Sequence, residues 1–427
     1  MTKSDNSSTR YLIVATTAGS VLEMYDFVIY SFFAIILGKL FFPSQQALVQ
    51  LIATYGIFAL GYLARPLGGI IFGHIADRFG RRNGLAISVV SMGIPIVALG
   101  LLPTYQSIGI WAPILLTVVR VFQGLSVGGE FPSAATFLSE HAPPSERGFE
   151  TSWLFFGING GILLASLVGY VVTESFHANQ TALLSWGWRI PFLLGGVLAA
   201  VGYYIRRNLG ETHAFQELKY NRSIEKIPFM YVLRHHMGDT LKGFGATAAM
   251  ASAISLIYLY MPTYLTQFVH LPLSTALLFN AINLVVLIVM LPIMGKWSDY
   301  FSRRVVTSIG GFLLVFNTYP FLWLINSFSH SPYLILWALC MMGVFTACTL
   351  GPIAAMLAEL FATKARTSGV AISYNLGVGL FGGLTPMVVT WLIKITNSVH
   401  SPAIYMMITG LITVLCAVTI KEKVKSF

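Results

Sequence analysis

The sequence predicts an all-α integral membrane protein, with twelve transmembrane helices arranged as two six-helix, pseudo-symmetric halves. Three observations carry this prediction. The chain is 56% hydrophobic and only 10% charged, whereas a soluble domain carries about 25% charged residues, so lipid must be the solvent for most of it. Twelve apolar runs have the length of a membrane-crossing helix, about 20 residues. One polar motif follows both the second and the eighth run. The net charge of +10 would suit a nucleic-acid binder only if the basic residues formed a face. They fall between apolar runs instead, so the expected partners are the bilayer and a small solute, with no nucleic acid.

The runs, numbered as spans 1 to 12, have limits near 11–40, 47–74, 83–104, 110–140, 149–173, 186–206, 240–268, 273–296, 305–325, 333–361, 366–394 and 401–420. Residues 207–239 are polar and are expected to form a cytoplasmic linker between an N-terminal bundle, 1–206, and a C-terminal bundle, 240–427. Met1 to Arg10 is polar, and span 1 has no small-residue cleavage site, so no removable signal peptide is expected. Cys340, Cys348 and Cys416 all lie in apolar runs without ligand spacing, which argues against disulfides and metal sites.

Orientation follows from the basic residues. With the N-terminus in the cytoplasm, 21 of the 26 Lys and Arg fall on the cytoplasmic side, and only Lys39 and Lys394 fall outside. Arg65, Arg120 and Arg189 lie within spans or at their edges. A miscounted span would invert every later loop and erase this asymmetry, so both termini are expected in the cytoplasm.

The halves repeat. Gly73-His-Ile-Ala-Asp77-Arg-Phe-Gly-Arg81-Arg82 follows span 2, and Gly295-Lys-Trp-Ser-Asp299-Tyr-Phe-Ser-Arg303-Arg304 follows span 8. Near the ends of spans 4 and 10, Glu140 precedes Arg147 and Glu359 precedes Arg366 by seven residues each. The two pairs give offsets of 222 and 219 between halves. Duplicated halves create a midplane site that opens alternately to each side. Acids near helix ends facing arginines in short loops suggest a cytoplasmic latch, and Gly73 suits close helix approach. Tyr300 and Ser302 stand where the first copy has Arg78 and Gly80, so the second latch is expected to be the weaker.

The motif after span 2 resembles the signature loop of the major facilitator superfamily. Further segments are similar to its metabolite:proton symporter family. These are Val21-Leu-Glu23-Met-Tyr25-Asp26-Phe27, Arg65-Pro66-Leu67-Gly68-Gly69, Arg120-Val-Phe-Gln123-Gly124-Leu-Ser126-Val-Gly128-Gly129-Glu130, Trp186-Gly-Trp188-Arg189-Ile-Pro191-Phe192, and Glu359 to Arg366 through Tyr374-Asn375 to Pro386. The resemblance implies the major facilitator fold, a bacterial inner membrane, and proton-driven import of a small organic solute. Ile108-Gly-Ile-Trp111-Ala-Pro113 and Pro386 to Leu392 look most like the proline/betaine carriers, whereas Arg120 looks more like the carboxylate carriers. The expected solute is thus a proline- or betaine-like zwitterion, then a 2-oxoglutarate- or citrate-like acid.

Ionisable residues inside spans are costly and mark function. Glu23 and Asp26 share a face of span 1. Two adjacent acids share one proton more easily than they both ionise. Arg120 and Glu130, ten residues apart on span 4, are about 15 Å apart along a helix. The expectation is that Glu23 or Asp26 carries the proton, with Arg120 and Glu130 in the coupling set, and that a solute carboxylate competing for Arg120 frees the acid to take a proton. Solute-site candidates are Arg65, Arg120, Arg189, Asn159, Tyr258, Tyr260, Asn280, Asn283, Tyr374 and Asn375. Arg189 enters through the resemblance to carboxylate carriers, and the tyrosines because an aromatic face attracts a quaternary ammonium. No phosphate-cradling Gly-Lys-Ser/Thr loop and no His-Glu-x-x-His motif occurs, so the expectation is no cofactor, no metal, no enzyme activity, and a proton gradient as energy source. A passive facilitator and a proton-coupled exporter remain the alternatives. One chain is enough for such a machine.

Overall fold

The structure is a computed structural model describing residues 20–21, 24–79, 81–128, 130–207, 232, 234–361 and 366–420. Glu23 and most of the 207–239 segment lie outside the described residues. Gly73, Asp77, Arg81, Arg82, Glu130 and Glu140 lie on described helices, but their side chains are outside the description.

Each predicted span contains a described helical passage, because a chain in hydrocarbon must satisfy its backbone groups internally. Eight described helices are long and apolar enough to cross a membrane: spans 2, 5 and 7 to 12. Span 1 makes a ninth, as the helices Met24–Phe32 and Ala34–Phe41 bent by 66°. The other three are Arg81–Leu101 (span 3), Trp111–Val127 with Glu130–His141 (span 4), and Ile190–Arg207 (span 6).

The motif segments differ from the expected loops. Span 2 runs unbroken as Ala47–Phe79 and span 8 as Leu273–Phe301, so Gly73, Asp77 and Asp299 are helical. Span 3 starts at Arg81 and span 9, Arg303–Ser327, at Arg303, so these arginines open helices rather than occupy loops. The physical reason is the link. At the second copy a single residue separates the two helices, and it must turn the chain alone. That residue is Ser302, with φ of +103°, a backbone region that only glycine adopts without strain. Span 7 also starts earlier than the predicted linker boundary, at Met237.

Within each half the spans pack as bundles, 2 on 4, 3 on 6, 9 on 12 and 9 on 10. The halves meet along spans 5 and 8, 2 and 11, and 4 and 11. Glycine permits the close crossing of spans 5 and 8: a Cβ on Gly148 of span 5 would lie 2.5 Å from the Gly295 carbonyl of span 8, and one on Gly295 2.6 Å from the Gly148 carbonyl. Span 7 contains a π-helical stretch, Ile254–Tyr260, and span 11 another, Val378–Gly382. Such stretches often occur at functional sites.

Candidate functional site: a cavity between the halves

A cavity lies between the halves. Spans 1, 2 and 5 line it from the first half, and spans 7, 10 and 11 from the second. Both π-helical stretches contribute, through Ile254, Ser255, Leu259, Val378 and Gly382. The wall is mostly apolar, and Arg65 is its one charged residue among the described residues. Tyr62, Asn159 and Tyr374 add polar groups. Of the predicted solute-site residues, Arg65, Asn159 and Tyr374 therefore come together.

Arg65 is 2% exposed. Its guanidinium carbon lies 4.0 Å from the Tyr62 ring centre and 4.2 Å from that of Phe27. Tyr62 is one helical turn before it on span 2, which explains the first contact. Nε and Nη2 of Arg65 have no hydrogen-bond partner among the described residues. A buried cation with free donors on a cavity wall is a ready partner for a carboxylate.

Arg120 is fully buried but does not line the cavity. Its guanidinium lies 4.3 Å from the Tyr30 ring centre, 4.6 Å from Phe27 and 5.3 Å from Phe58. Nη1 donates to the Phe27 carbonyl at 3.3 Å and to Gln123 Oε1. Gln123 Nε2 donates in turn to the Asp26 carbonyl at 2.9 Å. Arg120 thus grips the backbone of span 1 beside Asp26 and makes no ion pair with the Asp26 carboxylate. Asp26 is 3% exposed, and its Oδ1 has no hydrogen-bond partner. That oxygen faces span 6, where a Cβ on Gly195 would lie 2.7 Å away.

The remaining candidates sit elsewhere. Arg189 donates to the carbonyls of Gly100 and Leu102 at 2.7 and 2.8 Å, capping the end of span 3. Asn280 donates to Ser166 Oγ at 3.3 Å across spans 8 and 5. Tyr258 and Asn283 meet at 3.5 Å inside the second half. Tyr260 bonds Thr390 at 3.1 Å. Asn375 donates to the Gly128 carbonyl at 2.9 Å, tying span 11 to span 4.

Contacts between the halves close on either side of the cavity. At the end that carries the repeated motif, the Asp299 carboxylate accepts from the backbone N–H groups of Gly148 and Phe149, both at 2.9 Å. These are free donors at the start of span 5, where the helix dipole also favours a negative charge. Arg303 pairs with Asp299 at 2.8 Å and with Glu359 at 3.4 Å. Arg147 donates to the Ser139 carbonyl at 3.0 Å, and Arg366 opens the last part of this end, half-buried, at the start of span 11. Nearer the cavity, Phe131 and Tyr374 stack with ring centres 3.6 Å apart. At the opposite end, Tyr55 and Thr263 share a hydrogen bond of 2.8 Å, and Ser31 donates to the Leu259 carbonyl at 3.0 Å.

Tyr62, Phe27, Gln123 and Phe131 were not among the predicted site residues. Gln123 and Tyr62 each lie three residues from a predicted arginine, and that spacing was the available signal. Phe27 and Phe131 carried none, since an aromatic residue in an apolar run reads as packing.

Comparison with known proteins agrees with this architecture. A model of the sugar (and other) transporter family matches residues 11–234, and one of the major facilitator superfamily matches residues 243–426. The glycine betaine/proline/ectoine/pipecolic acid transporter of Dickeya dadantii is 36% identical over 98% of this chain and 84% of its own length. The proline/betaine transporter of Escherichia coli shows the same identity and coverage. The solved xylose transporter of Escherichia coli superposes with a TM-score of 0.75 at 20% identity, covering 96% of this chain and 97% of that one, a likeness of fold. A duplicated helical passage, a cavity between the halves and matches of this extent agree on one conclusion: the chain is a multi-pass membrane transporter that belongs to the major facilitator superfamily, in its metabolite:proton symporter family.

Proposed function

We propose that this protein imports a small zwitterion, proline or a betaine, together with protons across a bacterial inner membrane by alternating access. The observation that carries the solute class is the cavity wall, where one buried arginine is joined by Tyr62, Tyr374 and Asn159 on a mostly apolar surface. One cation matches one carboxylate. Aromatic rings on the same wall suit the cationic nitrogen at the other end of the solute. A di- or tricarboxylate would need more cations than the described wall supplies. The names of the relatives from Dickeya dadantii and Escherichia coli support the same class.

The proton site in this reading is Asp26, with Glu23 and Glu130 as further acids of the set and Arg120 holding span 1 in register. The orphaned, buried Oδ1 of Asp26 supports the assignment, because a carboxylate without partners in a dry interior is far easier to keep when it can be neutralised by a proton. The latch set is Gly73, Asp77, Arg81, Arg82, Glu140, Arg147, Asp299, Arg303, Glu359 and Arg366. The Asp299 contacts across the halves support it, and they must break for the motif end to open. The motif end faces the cytoplasm, with both termini, in keeping with the basic residues concentrated on that side. The proton gradient drives transport without a cofactor. One chain suffices, since both walls of the cavity come from it.

The test is uptake into proteoliposomes under an imposed inward proton gradient, with labelled proline, glycine betaine, 2-oxoglutarate, citrate and shikimate. Accumulation of proline or glycine betaine that collapses with an uncoupler is the expected result. Equilibration without accumulation overturns the coupling, and accumulation of an acid instead overturns the solute class.

A further inference from the structure

The two buried arginines of the first half share one aromatic ring. The guanidinium carbons of Arg65 and Arg120 lie 4.2 and 4.6 Å from the centre of the Phe27 ring. Arg65 faces the cavity, and Arg120 grips the Phe27 carbonyl on the side of Asp26. Phe27 is fully buried and does not line the cavity. It is held edge-on by Tyr62, with ring centres 4.7 Å apart. Its neighbour in the chain is Asp26, whose carbonyl is held by Gln123. Ring and backbone of one residue are therefore fixed by the two cations that separate solute from acid.

We propose that Phe27 is the coupling element of this transporter, a positioning residue that transmits occupancy of Arg65 to Asp26. This rests on the symport reading above. With the cavity empty, both guanidiniums bear on one ring, and together they fix the residue next to Asp26. A solute carboxylate pairing with Arg65 cancels one of those charges and draws Arg65 off the ring. Phe27 and Arg120 then relax together, carrying the Asp26–Phe27 peptide with them, and the acid takes up a proton. Solute binding and proton binding thereby favour each other, and the linkage is reciprocal. Among the described residues, the charged and titratable groups on the segment of Asp26 are Arg120 on span 4 and Arg65 on span 2, both against Phe27, and Tyr25 on its own span. The Tyr25 hydroxyl is committed to the Pro191 carbonyl at 2.7 Å. Span 6 presents Gly195 there, which carries no charge.

The experiment compares the parent chain with Phe27→Leu, Phe27→Met and Phe27→Trp in proteoliposomes. Three quantities are read: exchange of labelled proline or glycine betaine without a gradient, accumulation under a pH gradient, and protons taken up per solute by a pH-sensitive dye. Phe27→Leu and Phe27→Met are expected to lower the accumulation ratio by about tenfold, the size of an ordinary coupling effect, and to lower exchange far less. Phe27→Trp, which keeps an aromatic face, is expected to retain coupling. Two ring-less variants guard against one failing to fold. Parental accumulation in either of them overturns the proposal. So does a fall of exchange and accumulation in equal proportion with Phe27→Trp no better, because that marks a merely structural residue. A parent chain that takes up no protons with solute overturns the symport reading itself, and this proposal with it.

Discussion

At mid-depth, spans 1 to 6 bury Asp26, Arg65 and Arg120, none more than 3% exposed. Spans 7 to 12 bury Tyr258, Asn280 and Asn283 at comparable depth, all neutral, together with two π-helical stretches on the cavity wall. The halves repeat the same motif, so the difference is not one of architecture. It is a division of labour. The first half carries the charge that must change during transport. The second supplies a wall whose hydrogen-bond register is already irregular, and an irregular helix can adjust around a solute with less loss of backbone bonding. Concentrating the ionisable groups in one half also keeps them close enough to interact through a low dielectric, where their mutual influence is strong.

The sharpest way to break this comparison is to remove charge from the first half. Asp26→Asn is expected to reduce accumulation of solute to simple equilibration while sparing exchange. Proton-driven accumulation at the parental level in this variant would move the proton site elsewhere. Arg65→Gln is expected to lower the uptake rate at low solute concentration by about 100-fold, the loss of a buried, charge-assisted pair. Arg65→Lys restores part of it, because an ammonium keeps the charge but not the fork or the stacking on Tyr62 and Phe27. Equal loss in both variants would show that the guanidinium plane, rather than its charge, is what matters.

The latch gives a smaller effect. Asp299→Asn leaves the backbone donors of Gly148 and Phe149 with a neutral partner and weakens the hold on Arg303, a loss of about 1 to 2 kcal/mol. The expected outcome is faster labelling of a cavity-lining Ala251→Cys reporter from the motif end, in a background free of Cys340, Cys348 and Cys416. Asn283→Ala tests the neutral half. It is expected to lower thermal stability while leaving the accumulation ratio at the parental value, and loss of coupling there would end the contrast between the halves. The smallest change is Ser302→Gly, which relieves a backbone at φ +103° and is expected to stabilise the protein by about 1 kcal/mol. Thermal unfolding in detergent measures it.

Much of the fold was legible in the residues. The twelve passages follow from apolar run length alone, and the repeat from two offsets that agree. The motif segments were misplaced as loops because composition does not reveal that Ser302 alone links spans 8 and 9. The site was legible in part. Arg65, Asn159 and Tyr374 reach the cavity, whereas Arg120, Arg189, Asn280 and Asn283 are spent on other contacts. A buried polar residue announces itself in an apolar run, but which neighbour it faces depends on helix rotation, and rotation is set by packing with distant spans.

The sequence by itself determined the solvent of this protein, the number of its helices, its duplication and the depth of its charges, because each depends on local composition and on spacing along one helix. The tertiary structure decided which charges meet. It placed Arg65 on the cavity, turned Arg120 onto aromatic rings instead of the Asp26 carboxylate, and put Phe27 between them. Those outcomes depend on side chains from spans 1, 2 and 4 converging at one depth, and no local rule fixes how three helices turn their faces toward one another.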